Sequence, residues 1–441
     1  MSLDINHTHD ANARSWVESA NRSDSDFPIQ NLPYAVFRRR QSAEAWRGGI
    51  AIGDQVMDLA TLSRNGLLEG LAATAAAACS QSTLNAFFEM GPSAWQALRH
   101  GMFRLLSLDV NAERQGGLAE CLVPQSGVDY AVPVQVGDYS DYYTSIYHAE
   151  NIGKLAGLNT ATPNFKWIPL AYHGRASSIG VSGQKFRRPL GQTKAPDAPT
   201  PTLQPTKKLD YELELATYVG RSNQLGQPVS LSDAEQYIFG IGLLNDWSAR
   251  DIQFWEMAPL GPFLGKSFAT TISPWIVSLE ALAPFRLPFE RPAGDPQPLP
   301  YLDAKTNRAA GAIDITLEVW MGSSKQRAQG VPSSRVSSTS FKHQYWTVAQ
   351  MLAHHTINGC NLKVGDVLGS GTVSGPTVSE AGALIELALN GAAPVELATG
   401  EKRSFIEDGD TVALRGYCEK PGFVRIGFGE CRGEVLPALD V

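Results

Sequence analysis

The segment Asp314-Ile-Thr-Leu-Glu-Val-Trp320 alternates polar and apolar side chains, the period of a strand that buries one face. Working outward, residues 211–219, 383–389 and 411–417 read as further strands. Pro- and Gly-rich turns punctuate them, at 284–300 and at Pro421-Gly422. Helical text is scarce, and 346–356 is its clearest example. Such spacing predicts a mixed, sheet-rich domain and argues against a doubly wound one. Upstream, Phe27-Pro-Ile-Gln-Asn-Leu-Pro-Tyr34, Ala35-Val-Phe37 and Gly49-Ile-Ala-Ile-Gly53 are short β-type runs, which predict a small barrel-like unit. Residues 67–79 and 82–106 favour helix with a break at Gly91-Pro92, and Val123-Pro-Gln-Ser-Gly127 reads as a linker. The expected organisation is a polar, poorly ordered leader (1–25), a small N-terminal domain (26–127) and a larger domain (128–441). The class is α+β, predominantly β.

Composition narrows the function. A chain of 441 residues exceeds what one core usually serves. A net charge of −7 gives no electrostatic reason to expect nucleic acid or an anionic membrane as partner. The widest apolar stretch, 71–78, is too short to span a bilayer, and the polar start does not resemble a signal peptide. Five scattered cysteines without C-x-x-C spacing predict reduced thiols, a cytoplasmic setting and no zinc site.

The informative chemistry is acidic. In Asp210-Tyr-Glu-Leu-Glu-Leu215, alternate side chains share a strand face, so Glu212 and Glu214 point one way with Asp210 beside them. Two carboxylates about 7 Å apart can converge on one cation, and an all-oxygen set suits Mg²⁺ or Ca²⁺. A solvated strand face carries the same pattern. Asn245-Asp-Trp-Ser-Ala-Arg-Asp251 follows the apolar run 237–244, so Asp246 leaves a buried strand and needs a partner: Arg250 or a metal. Asp138-Tyr-Ser-Asp-Tyr-Tyr-Thr-Ser-Ile-Tyr-His148 adds Asp141, Tyr143 and His148. The imidazole could exchange a proton near neutral pH or be a hydrogen-bonded core group. His343, His354 and His355 read as core histidines.

Taken in order, 138–153, Tyr172-His-Gly-Arg-Ala-Ser-Ser178, 210–215, 245–271 and Gly369-Ser-Gly-Thr-Val-Ser-Gly-Pro376 resemble the fumarylacetoacetate hydrolase family. Pro259-Leu-Gly-Pro-Phe-Leu-Gly-Lys-Ser-Phe268 is a long match, and 27–58 is similar too, so the resemblance covers nearly the whole chain. It implies an SH3-like N-terminal barrel, a β-rich catalytic domain and a homodimer. It also implies metal-dependent hydrolysis of 4-fumarylacetoacetate to fumarate and acetoacetate, the last step of tyrosine and phenylalanine catabolism. Carried over residue by residue, Asp141, Glu212, Glu214 and Asp246 match the metal-holding carboxylates, and Lys266 and Thr270 match groups near a second, Mg²⁺-type site. His148 matches the base and Glu386 the carboxylate that orients it. Arg250, Gln253 and Lys266 match the oxyanion cluster; Tyr143, Tyr172, Gln253 and Thr372 match substrate contacts.

Two departures touch substrate recognition. Asn151-Ile-Gly-Lys-Leu-Ala-Gly157 reads as a shortened loop without the family's arginine, leaving Lys154 as a point charge. Met257 replaces a tyrosine and cannot donate a phenolic hydrogen bond. Hydrolysis of a related acylpyruvate or 1,3-diketo acid is the alternative within enzymes. A non-catalytic metal- and ligand-binding protein is the alternative outside them, and the His148 and Glu386 pair argues against it.

Overall fold

The computed structural model describes residues 4–155, 157 and 161–440. The opening alternation forms the strand Thr316–Gly322, which buries Leu317, Val319 and Met321. It lies between Ser334–Ser340 and Thr411–Cys418, and Ile426–Leu436 and Gln184–Arg187 complete a five-stranded sheet. A second sheet of eight strands is centred on Leu213–Val219, flanked by Val367–Gly369 and Ile238–Asp246. Beyond the first neighbour come Tyr139–Tyr142 and Ala171–Gly174; beyond the second come Thr270–Ile272 and Ile179–Val181, and Val277–Ser278 also pairs with Ile238–Asp246. Ile238–Asp246 is buried along its whole length, as its apolar run requires. Leu243 from one sheet and Leu317 from the other both abut Gly416, so the two inner faces share one core. The result is an α+β fold dominated by sheets.

The N-terminal unit is a five-stranded antiparallel sheet of half-barrel kind, in the order Leu122–Pro124, Gln55–Asp58, Arg47–Ile52, Tyr34–Arg39, Val128–Ala131. It takes in Val128–Ala131, so of the stretch expected to be a linker at 123–127, Val123 and Pro124 belong to a strand of this sheet and Gln125–Gly127 forms the 3₁₀ turn to the next. Helices follow at Gly70–Ala78, Asn85–Glu89 and Pro92–Leu106, with the expected break at Gly91. Phe88 stacks on Phe239 of the large sheet at 4.0 Å between ring centroids, which joins the two units through an apolar seam.

Three local expectations need correction. The leader is not loose: residues 4–25 carry short 3₁₀ turns at His7–His9 and Glu18–Asn21 and bury Thr8, His9, Ser15 and Val17. Polar composition does not prevent docking when each polar group meets a partner. Ser15 Oγ donates to Leu106 O at 2.7 Å, and Asn6 Nδ2 donates to Glu280 Oε1 at 2.7 Å. Second, 383–389 forms the helical turn Leu384–Leu387 instead of a strand. Asp210 Oδ1 accepts the Leu384 amide at 2.8 Å and Oδ2 accepts the Ile385 amide at 3.2 Å, capping the turn from a distant segment. Third, the expected loop at 151–157 begins as helix, because Ile146–Leu155 is continuous; Ala156 lies outside the described residues.

Candidate active site

The carboxylates converge where strand ends of the eight-stranded sheet meet. Asp141 sits opposite Gly369, and Asp246 ends its strand opposite Thr270. Glu212 and Glu214 share a face while Tyr211, Leu213 and Leu215 fill the core on the other side. One oxygen from each of Asp141, Glu212, Glu214 and Asp246 lies within 4.8 Å of the others, and all four residues are buried. Asp210 is not among them. The chain breaks regular pairing between Leu209–Asp210 and Leu213–Val219, which turns Asp210 toward Arg250 and the amides of 384–385.

Two buried cations answer this acidity in part. Lys266 Nζ donates to Glu212 and, at 2.7 Å, to Asp246 Oδ2. Arg250 donates from Nη1 to Glu212 Oε1 at 2.7 Å and from Nε to Asp210 Oδ2 at 2.8 Å. Burial raises the charged form's cost for Glu212, yet Lys266 and Arg250 hold its carboxyl well below the usual range. Asp141 and Glu214 go the other way, pushed up by burial and then by their acidic neighbours. Asp141 Oδ1 and Glu214 Oε1 also find no hydrogen-bond partner among the described residues. Buried, unpaired carboxylate oxygens aimed at one point are the donor set a hard divalent cation requires. The residues therefore fit such an ion.

A backbone device completes the cluster. Gly371 adopts φ +73 and its amide donates to Glu214 Oε2 at 3.1 Å; a Cβ there would meet Tyr142 O at 2.1 Å.

His148 stands beside the cluster on the helix Ile146–Leu155. Its Nδ1 lies 2.7 Å from Glu386 Oε2 and its Nε2 lies 4.0 Å from Glu212 Oε1. Burial disfavours an ionised Glu386, but His148 and hydrogen bonds from Asn151 and Ser374 hold its pKa down. Tyr143 packs edge-on against the imidazole at 5.3 Å between centroids. Gln253 accepts from Arg250 Nη1 at 3.3 Å, Tyr172 donates to Asp246 Oδ2 at 3.2 Å, and Thr270 Oγ1 donates to Asp246 Oδ1 at 3.3 Å. Thr372 is buried on the segment that carries Gly371. A cavity of about 150 Å³ lined by Tyr172, Asp246, Lys266, Thr270, Arg175 and Phe263 opens this side of the cluster.

Of the residues singled out from sequence, Tyr172, Arg250, Lys266, Thr270 and His148 meet the four carboxylates directly, while Glu386 and Tyr143 reach them through His148 and Gln253 through Arg250. The two departures lie outward: Lys154 is exposed in the last turn of its helix, and Met257 is exposed at the end of Arg250–Glu256. Three contributors escaped sequence reasoning: Asn151, Ser374 and the cap made by Asp210. The first two lie within quoted motifs, but nothing in residue type marks them as partners of a glutamate far away in sequence.

A sheet-built centre of four buried carboxylates that could hold a cation, with a histidine–glutamate pair beside it, is the arrangement of an enzyme site. A model described as Fumarylacetoacetate (FAA) hydrolase C-terminal matches residues 139–436, and one described as Fumarylacetoacetase N-terminal matches residues 30–133. The chain is 48% identical to a fumarylacetoacetase of Oryza sativa subsp. japonica, covering 97% of this chain and 98% of that one. It is 50% identical to one of Caenorhabditis elegans (94% and 97%) and 45% identical to one of Homo sapiens (94% and 97%). The chain belongs to the fumarylacetoacetate hydrolase family.

Proposed function

We propose that this chain hydrolyses the carbon–carbon bond of 4-fumarylacetoacetate to give fumarate and acetoacetate, serving tyrosine and phenylalanine catabolism. The observation that carries the reading is one buried centre holding both a cation-type carboxylate cluster and a His148–Glu386 pair. Relatives named fumarylacetoacetases, nearly half identical along almost the whole chain, support it.

Asp141, Glu212, Glu214 and Asp246 would hold Mg²⁺ or Ca²⁺, with Lys266 and Thr270 bordering a second, Mg²⁺-type position beside Asp246. When bound, such an ion supplies Lewis-acid polarisation of a 1,3-diketone. His148 removes a proton from water through Nε2 while Glu386 accepts from Nδ1 and balances the charge that develops on the ring. The hydroxyl oxygen then attacks the carbonyl to give a tetrahedral oxyanion, whose collapse breaks the carbon–carbon bond; the electron pair leaves on the acetoacetate part as an enolate, and the proton taken up by His148 returns to that carbon. Arg250, Gln253 and Lys266 present preorganised donors to the oxyanion, and one donor of this kind is worth about 3 kcal/mol in comparable sites. Tyr143, Tyr172 and Thr372 orient the substrate. A pure binding protein has no use for the histidine–glutamate pair.

The working form is a cytoplasmic homodimer. The dimer is supported by a run of exposed apolar side chains, Phe254, Trp255, Met257, Leu260, Phe263 and Leu264, gathered at one surface segment beside the site, and the cytoplasmic setting by the scattered cysteines, all free.

The test follows loss of diketone absorbance from fumarylacetoacetate, with Mg²⁺, with Ca²⁺ and with chelator. Metal-dependent release of equimolar fumarate and acetoacetate is expected. Turnover of an acylpyruvate but not of this substrate would move the assignment to a related diketo acid. Stoichiometric binding without turnover of either would overturn it.

A further inference from the structure

We infer that Ser374 and Asn151 are positioning residues that fix which nitrogen of His148 carries the proton. The inference rests on the reading of His148 as the base and goes beyond it, because it names what makes Nε2 the free nitrogen.

The argument is one of hydrogen-bond polarity. Glu386 is almost wholly buried, and its two oxygens meet three side chains: His148, Asn151 and Ser374. The Gly382 amide donates to Ser374 Oγ at 2.9 Å. A hydroxyl has a single proton, and with an amide pointed at its oxygen that proton is directed away, toward Glu386 Oε2 at 2.9 Å and Oε1 at 3.0 Å. Asn151 sits one helical turn beyond His148 and donates from Nδ2 to Glu386 Oε1 at 2.8 Å. Its reversed orientation would set an amide carbonyl against a carboxylate. Both neighbours therefore donate, and Glu386 is fixed as an acceptor. The remaining contact, with His148 Nδ1 at 2.7 Å, then requires the proton to sit on the imidazole. A neutral ring protonated at Nδ1 carries its lone pair on Nε2, the nitrogen that faces Glu212 across 4.0 Å.

The same contacts lock rotation. Ser145 Oγ donates to Ser374 O at 3.0 Å and accepts the His148 amide at 3.2 Å, so the start of the histidine helix is tied to the segment bearing Ser374. Glu386 cannot swing without breaking two further hydrogen bonds, and an imidazole whose partner is fixed keeps its aim. The polarity thus passes from a backbone amide through Ser374 and Glu386 to the base.

The test uses the full chain with Mg²⁺, labelled with ¹⁵N-histidine, and assigns His148 from the signal missing in His148→Ala. Wild type is expected to show the proton on Nδ1 and a lone pair on Nε2. Ser374→Ala and Asn151→Leu are each expected to give a mixture of tautomers. Their kcat should fall about 10- to 100-fold with little change in KM and unchanged Mg²⁺ binding by calorimetry. Ser374→Thr, which keeps the hydroxyl, should restore both the spectrum and kcat. Wild-type tautomer signals in both Ser374→Ala and Asn151→Leu would overturn the inference, whatever the rate. Should Ser374→Ala not fold, Asn151→Leu decides alone. His148→Ala separates the two levels: if it retains normal turnover, the reading of His148 as base fails, while the tautomer spectra still judge the positioning role on its own.

Discussion

Among the described residues, Asp141 and Glu214 each bury an oxygen without a donor, whereas Glu212, two residues before Glu214, is held by a lysine and an arginine. This asymmetry says where a cation gains most, because an unpaired buried carboxylate costs more than an ion-paired one. Calorimetric melting should therefore show the protein more stable in Mg²⁺ or Ca²⁺ than in chelator. A ligand at a hundred times its Kd adds about 2.7 kcal/mol. Asp141→Asn and Glu214→Gln should each abolish most of that gain while leaving the chelator-treated protein no less stable, since each replaces a buried carboxylate that has one oxygen unmatched among the described residues. An undiminished metal-induced shift in either variant would take that residue out of the site. At this scale the sequence was informative about chemical type and poor about partnership. Spacing on a strand puts Glu212 and Glu214 on one face, but the same logic placed Asp210 with them, and only the break at Tyr211 and Glu212 shows that Asp210 serves Arg250.

The helical turn Leu384–Leu387 shows why elements are harder to read than residues. Its Leu-Ile-Glu-Leu text is as compatible with a strand as with a helix. Its conformation is decided by Asp210, 174 residues earlier, which accepts two of its first amides. Strands with strong internal alternation, such as Thr316–Gly322, need no such outside help, and these are the elements whose sequence predicts them well. The dependence is testable. Asp210→Asn keeps the side chain's shape but removes the charge opposite Arg250 and the second acceptor oxygen. Breaking a buried pair of this kind costs about 3 kcal/mol or more. A clear drop in thermal stability is expected, together with faster hydrogen exchange at the Leu384 and Ile385 amides. Wild-type protection at those two amides would show that the turn holds without its cap.

At the scale of the whole molecule, the N-terminal segment ties the small unit to the large one, and its ties are titratable. His9 Nε2 meets Glu280 O at 2.8 Å, while its Nδ1 accepts the Asn6 amide at 2.9 Å, so the docked ring must be neutral. Protonation would set an N–H against the Asn6 N–H. Burial, and then Arg99, lowers the His9 pKa; burial, then His100 and Arg104, lowers that of His7. A histidine whose folded pKa lies below its unfolded value of about 6.5 binds protons more readily when released, so docking weakens as pH falls through that range. Glu280 acts lower down. Burial opposes its ionisation, but Arg99, His100 and Asn6 hold its pKa below the ordinary value, so its contribution is present above about pH 4.3 and lost in acid. Loosening should therefore come in two stages, the first between pH 7.5 and 5.5 while Glu280 is still charged. Hydrogen exchange corrected for intrinsic rate should show the Trp16 and Ala20 amides, which donate to Leu106 O and Val17 O, less protected at pH 5.5 than at 7.5. His9→Gln, which cannot titrate, should flatten most of that difference. Equal protection at the two pH values, or an undiminished difference in His9→Gln, would mean that the segment is held by its apolar and backbone contacts alone.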